Sequence, residues 1–276
     1  MTKSLSDCTT LNNGLKMPWF GLGVYKAQDG AEVENAVKAA LEAGYRSIDT
    51  AAFYENEVGV GKAVRESGIH RQDVFITTKV WNSEQGYEST FKAFAESNRK
   101  LGLEYVDLYL IHWPVKGKYK ETWKALEKIY KEGLVRAIGV SNFQIHHLKD
   151  LMADSEFLPM VNQVEFHPRL TQKPLLKFCR ETNIQLEAWA PLMRGQVLDD
   201  PVVVRLADKY GKTPAQIILR WDLQLQVVTI PKSIHRDRII ENAQVFDFEL
   251  TSEEIRMLDG LNMDKRTGPD PDNFSF

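Results

Sequence analysis

Between residue 20 and about residue 243 the chain changes period eight times: a short β-rich run, then a longer stretch whose apolar residues recur at helical spacing. The runs that read as strands are FGLGV (20–24), RSID (46–49), VFITTKV (74–80), VDLYLIH (106–112), VRAIGVS (135–141), MVNQVEF (160–166), QLEAWA (185–190) and VVTIPK (227–232). Such alternation points to a parallel sheet, because a parallel neighbour is reached only by a crossover, usually a helix. VFITTKV and VDLYLIH are nearly continuous in apolar residues, as strands covered on both faces should be. Eight pairs with no linker between them predict an α/β fold: a single (β/α)8 TIM barrel, one domain spanning 1–276, within the usual size of that architecture.

Local signals refine this outline. Ser83 stands ahead of a helix expected over 86–101, Thr213-Pro214 opens one over 214–224, and Thr251 with Glu254 forms a capping box for the last helix. The Asn-Gly turn in TTLNNGLKMP predicts an N-terminal β-hairpin, placed to plug the lower end of the barrel. The tail RTGPDPDNFSF, from Arg266, should be irregular. The lysine-rich stretch 116–133 reads as a solvated helix face.

A net charge of −3 gives no general attraction to phosphate backbones or anionic lipid, so nucleic-acid and membrane partners are disfavoured and any basic site is local. The two cysteines, Cys8 and Cys179, form neither a disulfide framework nor a metal or redox pair, which suits a reducing cytoplasmic setting. No apolar run follows the lysine of MTKSLSDCTTLNNG as in a signal peptide, and no stretch approaches the ~20 apolar residues that span a bilayer.

In a barrel of this kind the chemistry gathers where strands end, and here three consecutive strand ends are polar. Strand two ends at Asp49 with Tyr54 just beyond, strand three near Lys79 and strand four at His112. A phenol with an ordinary pKa of about 10 is a weak acid at neutral pH unless its phenolate is stabilised. Lys79 would lower the Tyr54 pKa, Asp49 would hold Lys79 charged and oriented, and His112 would position a carbonyl oxygen beside the phenol. The same residues would also serve a metal-free lyase or hydrolase on the same fold.

A second cluster, IPKSIHRDRIIEN, places Lys232, Ser233 and Arg238 where barrels often bind phosphate. Ser141-Asn142 at the end of strand five and Gln163 on strand six could grip a carboxamide, and Trp189 could stack on a flat ring; each also has a packing explanation. No GxGxxG follows a strand, since Gly21-Leu22-Gly23 lies inside one and Gly59-Val60-Gly61 falls in a helix start. No metal site is expected: His146 and His147 are adjacent and should point to different sides of a helix, and no HExxH exists. GxSxG and P-loop motifs are absent.

With GYRSIDTAAFYENEVGVG (44–61), GLVRAIGVSNF (133–143) and IPKSIHRDRIIEN (230–242), joined by KVW at Lys79 and LIHWP around His112, the chain resembles the aldo-keto reductases over essentially its whole length. The resemblance implies Asp49, Tyr54, Lys79 and His112 as a catalytic tetrad and NADPH as cofactor. Ser141, Asn142 and Gln163 would then hold the nicotinamide carboxamide, Trp189 would stack on its ring, and Lys232, Ser233 and Arg238 would bind the 2′-phosphate. It puts Glu241 and Asn242 near the adenine, and Gly23, Val24, Ala190, Leu192 and Ile234 along the cofactor. Ala190 stands where many members have serine, removing one hydroxyl, and Trp189 stands where mammalian members usually have tyrosine.

In these respects it resembles the shorter bacterial branch of diketogluconate, glyoxal and methylglyoxal reductases and prostaglandin F synthase-like enzymes. The implied activity is reduction of small dicarbonyls, aromatic aldehydes and keto-sugars by a monomer. Tyr25, Trp81 and Trp113 would form the aromatic wall of the pocket, with Tyr54 and His112 also touching substrate. The tail from Lys265 lacks a long substrate loop, so the pocket should be open. A nucleotide-binding redox sensor is the alternative outside catalysis.

Overall fold

The computed structural model describes residues 4–276; the first three residues of the expected domain lie outside the described residues. Among the described residues ten strands form, β1 Cys8–Thr10, β2 Lys16–Pro18, β3 Leu22–Gly23, β4 Ser47–Asp49, β5 Phe75–Val80, β6 Val106–Ile111, β7 Val135–Ser141, β8 Val161–Glu165, β9 Gln185–Trp189 and β10 Val228–Thr229. The helices are α1 Ala31–Glu42, α2 Glu57–Glu66, α3 Tyr87–Leu101, α4 Tyr119–Lys131, α5 Ile145–Met152, α6 Lys173–Glu181, α7 Pro201–Tyr210, α8 Pro214–Gln224, α9 Arg236–Asn242 and α10 Ser252–Asp259. Strands β3 to β10 run parallel in sequence order. Every residue of β4 to β8 except Arg136 is buried, as strands enclosed by helices require.

The sheet closes on itself where β3 meets β10. Phe20 bridges Thr229 and Gly23 bridges Lys232, both in parallel sense, with Gly21 N–H donating to Thr229 O at 3.0 Å and Gly23 N–H to Pro231 O at 3.3 Å. Pro231 has no N–H to return, so the ladder breaks, and β3 and β10 are shorter than the 20–24 and 227–232 read from sequence. The seam is also tight: a Cβ on Gly23 would lie 2.9 Å from the Ile230 carbonyl oxygen. Gly61 has a comparable role inside α2, where a Cβ would meet Leu101 O at 1.9 Å, so this glycine serves close packing of α2 on the end of α3.

Thr213 and Thr251 cap α8 and α10 in capping boxes with Gln216 and Glu254. Ser83 caps nothing; it sits in a 3-10 turn, its Oγ on Glu84, and Gly86 occupies the cap of α3. Two helices lie outside the eightfold repeat. The α7 helix, capped by Asp200 with Pro201 in its first turn, is inserted before α8 and tied to α10 by Lys209 and Tyr210, each 2.6 Å from Glu254.

The β1–β2 hairpin forms in antiparallel register, Thr10 opposite Lys16. Its loop runs from Leu11 to Leu15 and only Gly14 takes a left-handed φ, +87°, so it is longer than a two-residue Asn-Gly turn. Thr9, Asn12 and Asn13 bond Gln185, Pro159 O and Arg136 O, all at the beginnings of strands, which seats the hairpin on the base of the barrel. Among the described residues no helix is long and apolar enough to cross a membrane.

Candidate active site

At the opposite end, the strand termini deliver their polar side chains to one place. Lys79, fully buried near the end of β5, donates from Nζ to Asp49 Oδ1 at 2.7 Å and to Thr50 O at 2.9 Å, and stands 3.4 Å from the Tyr54 hydroxyl. Tyr54 ends a 3-10 turn after β4. That turn is fixed by buried Asn56, which accepts from Thr50 Oγ1 and donates to Val24 O and Ala27 O, locking two loops of the mouth together. The His112 ring follows β6 and meets Tyr54 edge to face at 5.7 Å. All four residues singled out in the sequence therefore converge.

Burial dominates the electrostatics. It pushes the Tyr54 phenol up to about 12, with the Lys79 charge pulling the other way, so the net shift is opposite to the expected lowering. The phenol therefore stays protonated at neutral pH. Burial would strip Lys79 of its proton, but Asp49, in contact, and Tyr54 more than offset this and hold it charged. Burial, then the Lys79 charge, drives His112 well below the usual imidazole range, so it is neutral and has one N–H to offer.

Gln163 reaches across the barrel from β8: its amide nitrogen donates to Asp49 Oδ2 at 2.7 Å and Glu187 Oε2 at 2.8 Å, which leaves its carbonyl oxygen facing no donor among the described residues. Asn142 donates to His112 O and Ser141 Oγ and accepts from Trp189 Nε1 at 2.9 Å. Asn142 and Ala190 both take left-handed backbone, φ +65° and +49°, where the chain leaves the sheet; strained residues of this kind concentrate at functional sites. Gly23, Val24 and partly exposed Trp189, Ala190 and Leu192 end or follow their strands at the same mouth.

Beside the seam, exposed Lys232 and Arg238 make no ion pair among the described residues. Ser233 Oγ is turned onto His235, Ile234 is half buried, Glu241 accepts from Thr213 Oγ1 at 3.0 Å, and Asn242 is buried.

The aromatic wall is larger than the sequence reading, and the pocket is less open. Tyr25 lies 4.9 Å from the Tyr54 ring, and Trp81 stacks on Phe53 at 3.8 Å. The irregular tail folds back across this side of the mouth: Phe276 stacks on Trp81 at 5.7 Å, and Phe274 and Phe276 cover Trp113, which is buried. Two anchors hold it. Glu165, at the end of β8, accepts from Thr267 N, Thr267 Oγ1 and Gly268 N, and Asp272 receives both His146 and His147.

The two imidazoles, expected to diverge, lie 4.0 Å apart, because the tail brings one carboxylate to both. His147 Nδ1 accepts from Gln144 N–H in the cap of α5, so its Nε2 carries the hydrogen donated to Asp272. It offers that position no lone pair for a metal. Phe53, Phe274 and Phe276 escaped the sequence reading, as did Glu165 and Glu187. The two glutamates left a signal, since an acidic residue in a strand buried on both faces needs a specific partner.

The chain is 61% identical over 276 residues, covering all of both chains, to a protein of Bacillus subtilis named glyoxal reductase. It is 57% identical over 271 residues, covering 97% of this chain and 96% of the other, to the 9,11-endoperoxide prostaglandin H2 reductase of Trypanosoma cruzi. Among solved structures, a mutant of Gox0644 crystallised in complex with NADPH superimposes with a TM-score of 0.93 at 43% identity over 98% of each chain. The profile of the Aldo/keto reductase family matches residues 19–263, and this chain belongs to that family.

Proposed function

We propose that this protein reduces aldehydes and ketones to alcohols with NADPH, using Tyr54 as the proton donor. The observation that carries this reading is the buried chain Asp49, Lys79, Tyr54, opening beside neutral His112 at an aromatic mouth. NADPH, when bound, supplies the hydride equivalent to the carbonyl carbon. His112 donates its N–H to the substrate oxygen and orients it toward Tyr54. Tyr54 protonates that oxygen as charge grows on it, and the Lys79 ammonium, held by Asp49, stabilises the phenolate that results.

The uncommitted cations Lys232 and Arg238 suit a 2′-phosphate, with Ser233 and Ile234 beside them and Glu241 and Asn242 toward the adenine. Acceptors left on Gln163 and Asn142 suit the two amide hydrogens of a carboxamide, with Ser141 beside them and Trp189 under the ring. Gly23, Val24, Ala190 and Leu192 would line the cofactor between these ends. Tyr25, Trp81 and Trp113 favour small dicarbonyls and flat aromatic aldehydes, in keeping with the name of the glyoxal reductase relative. We place the protein in the cytoplasm as a monomer, with residues 1–276 acting as one domain.

The test is the loss of 340 nm absorbance with NADPH and then NADH against methylglyoxal, phenylglyoxal and 4-nitrobenzaldehyde. Faster consumption of NADPH supports the reading. Binding of NADPH without turnover would favour a nucleotide sensor, and no binding would favour a lyase or hydrolase.

A further inference from the structure

Beneath the mouth Asp49 on β4, Lys79 on β5 and Glu187 on β9 are linked in one cluster, none of them more than 2% exposed. One cation in a dry interior can compensate one anion. Lys79 touches Asp49 directly at 2.7 Å. Glu187 reaches the pair through the Gln163 amide, which donates one hydrogen to Asp49 Oδ2 and the other to Glu187 Oε2. The remaining oxygen, Glu187 Oε1, has no hydrogen-bond partner among the described residues. A second carboxylate here would be uncompensated, which favours the neutral carboxyl at Glu187, its Oε2 accepting from Gln163. Burial, then the Asp49 charge, pushes it up to about 8. The ionisable groups that face it are Asp49, Lys79 and, beyond Lys79, Tyr54; its ladder neighbours Gln163 and Val228 do not titrate.

We propose that Glu187 is a positioning residue for the carbonyl reduction: neutral, it braces Asp49 through Gln163; ionised, it opposes proton donation by Tyr54. This rests on the reductase reading above. When Glu187 releases its proton to solvent, its charge competes with the forming Tyr54 phenolate for the one ammonium, so the phenol becomes a poorer acid. The substrate side of the mouth is unchanged, so kcat falls with little change in KM.

Glu187→Gln is nearly isosteric, can present its carbonyl to Gln163 and is neutral at every pH. In the native protein Glu187 holds its proton to about pH 8, whereas the unfolded carboxyl releases it near its ordinary 4.5. The native state then binds more protons across that window, so the wild type loses stability relative to the variant as pH rises from 4.5 to 8 and loses no more above it. The melting temperature of E187Q should therefore gain steadily on the wild type between pH 5 and 8. With phenylglyoxal and NADPH, the two kcat values should agree within about twofold at pH 6.5. Above pH 8 the wild type should decline while E187Q holds.

Glu187→Ala, which removes the brace, should lower kcat at pH 6.5 where E187Q does not. A melting gap independent of pH, or coincident kcat profiles, would overturn the proposal. A wild type with no turnover would remove the reductase reading and the catalytic half of the proposal, while the melting curves would still decide whether Glu187 is neutral.

Discussion

Lys79 joins Asp49 to Tyr54 beneath the mouth. It is completely buried, compensates Asp49 and is, among the described residues, the only cation beside the Tyr54 hydroxyl. Lys79→Met should keep the barrel but lower kcat by at least ~100-fold, the low end of what general acid catalysis contributes. Circular dichroism beside the rate assay separates this from unfolding, and near-normal turnover would remove Lys79 from the mechanism. A second residue-scale expectation concerns Lys232 and Arg238, which make no ion pair among the described residues. Replacing either by Ala should weaken NADPH by about 1.5–3 kcal/mol, the range for a charge-assisted hydrogen bond, and leave NADH nearly untouched. Equal weakening of both nucleotides in a fluorescence titration would contradict the 2′-phosphate role. The tetrad was legible because strand ends can be read from local pattern. For Glu187 only the need for a partner was legible, because which partner it has depends on Asp49, which reaches it through Gln163 from the far side of the barrel.

Among elements, the eight parallel strands and their helices follow from the sequence because each carries its own periodicity, with side-chain caps marking α8 and α10. What escaped lies where elements meet. The short β3 and β10 are set by a seam at which Pro231 interrupts the ladder. The inserted α7 begins PVVV, where three consecutive β-branched residues mask a helical period. Gly59 packs α2 on Val33 and Asp29, and Gly61 brings it against the Leu101 carbonyl. Gly61→Ala tests that contact: a Cβ 1.9 Å from a backbone oxygen forces α2 and α3 apart. A loss of about 1–3 kcal/mol in urea unfolding is expected, typical of overpacking. An unchanged or raised stability would show that the helices separate freely and that the packing account of Gly61 is wrong.

At the scale of the whole molecule, the tail joins residues far apart in the chain, so no local pattern announces where it goes. It is irregular as read, but Glu165 grips its start and His146 and His147 hold Asp272, which brings Phe276 onto Trp81 and Trp113. Phe276→Ala should raise KM for phenylglyoxal roughly tenfold, from ~1–2 kcal/mol of lost apolar contact, and leave glyoxal nearly unchanged. Equal effects on both would mean that the tail does not touch bound substrate. All of these features surround one phenol, and the most direct measurement is NADPH oxidation at 340 nm with phenylglyoxal by the wild type and Tyr54→Phe side by side, with NADPH affinity titrated for both. A loss of ~100- to 10,000-fold in kcat at unchanged NADPH affinity is the result expected of a missing general acid. Turnover by Tyr54→Phe at the wild-type rate would contradict it.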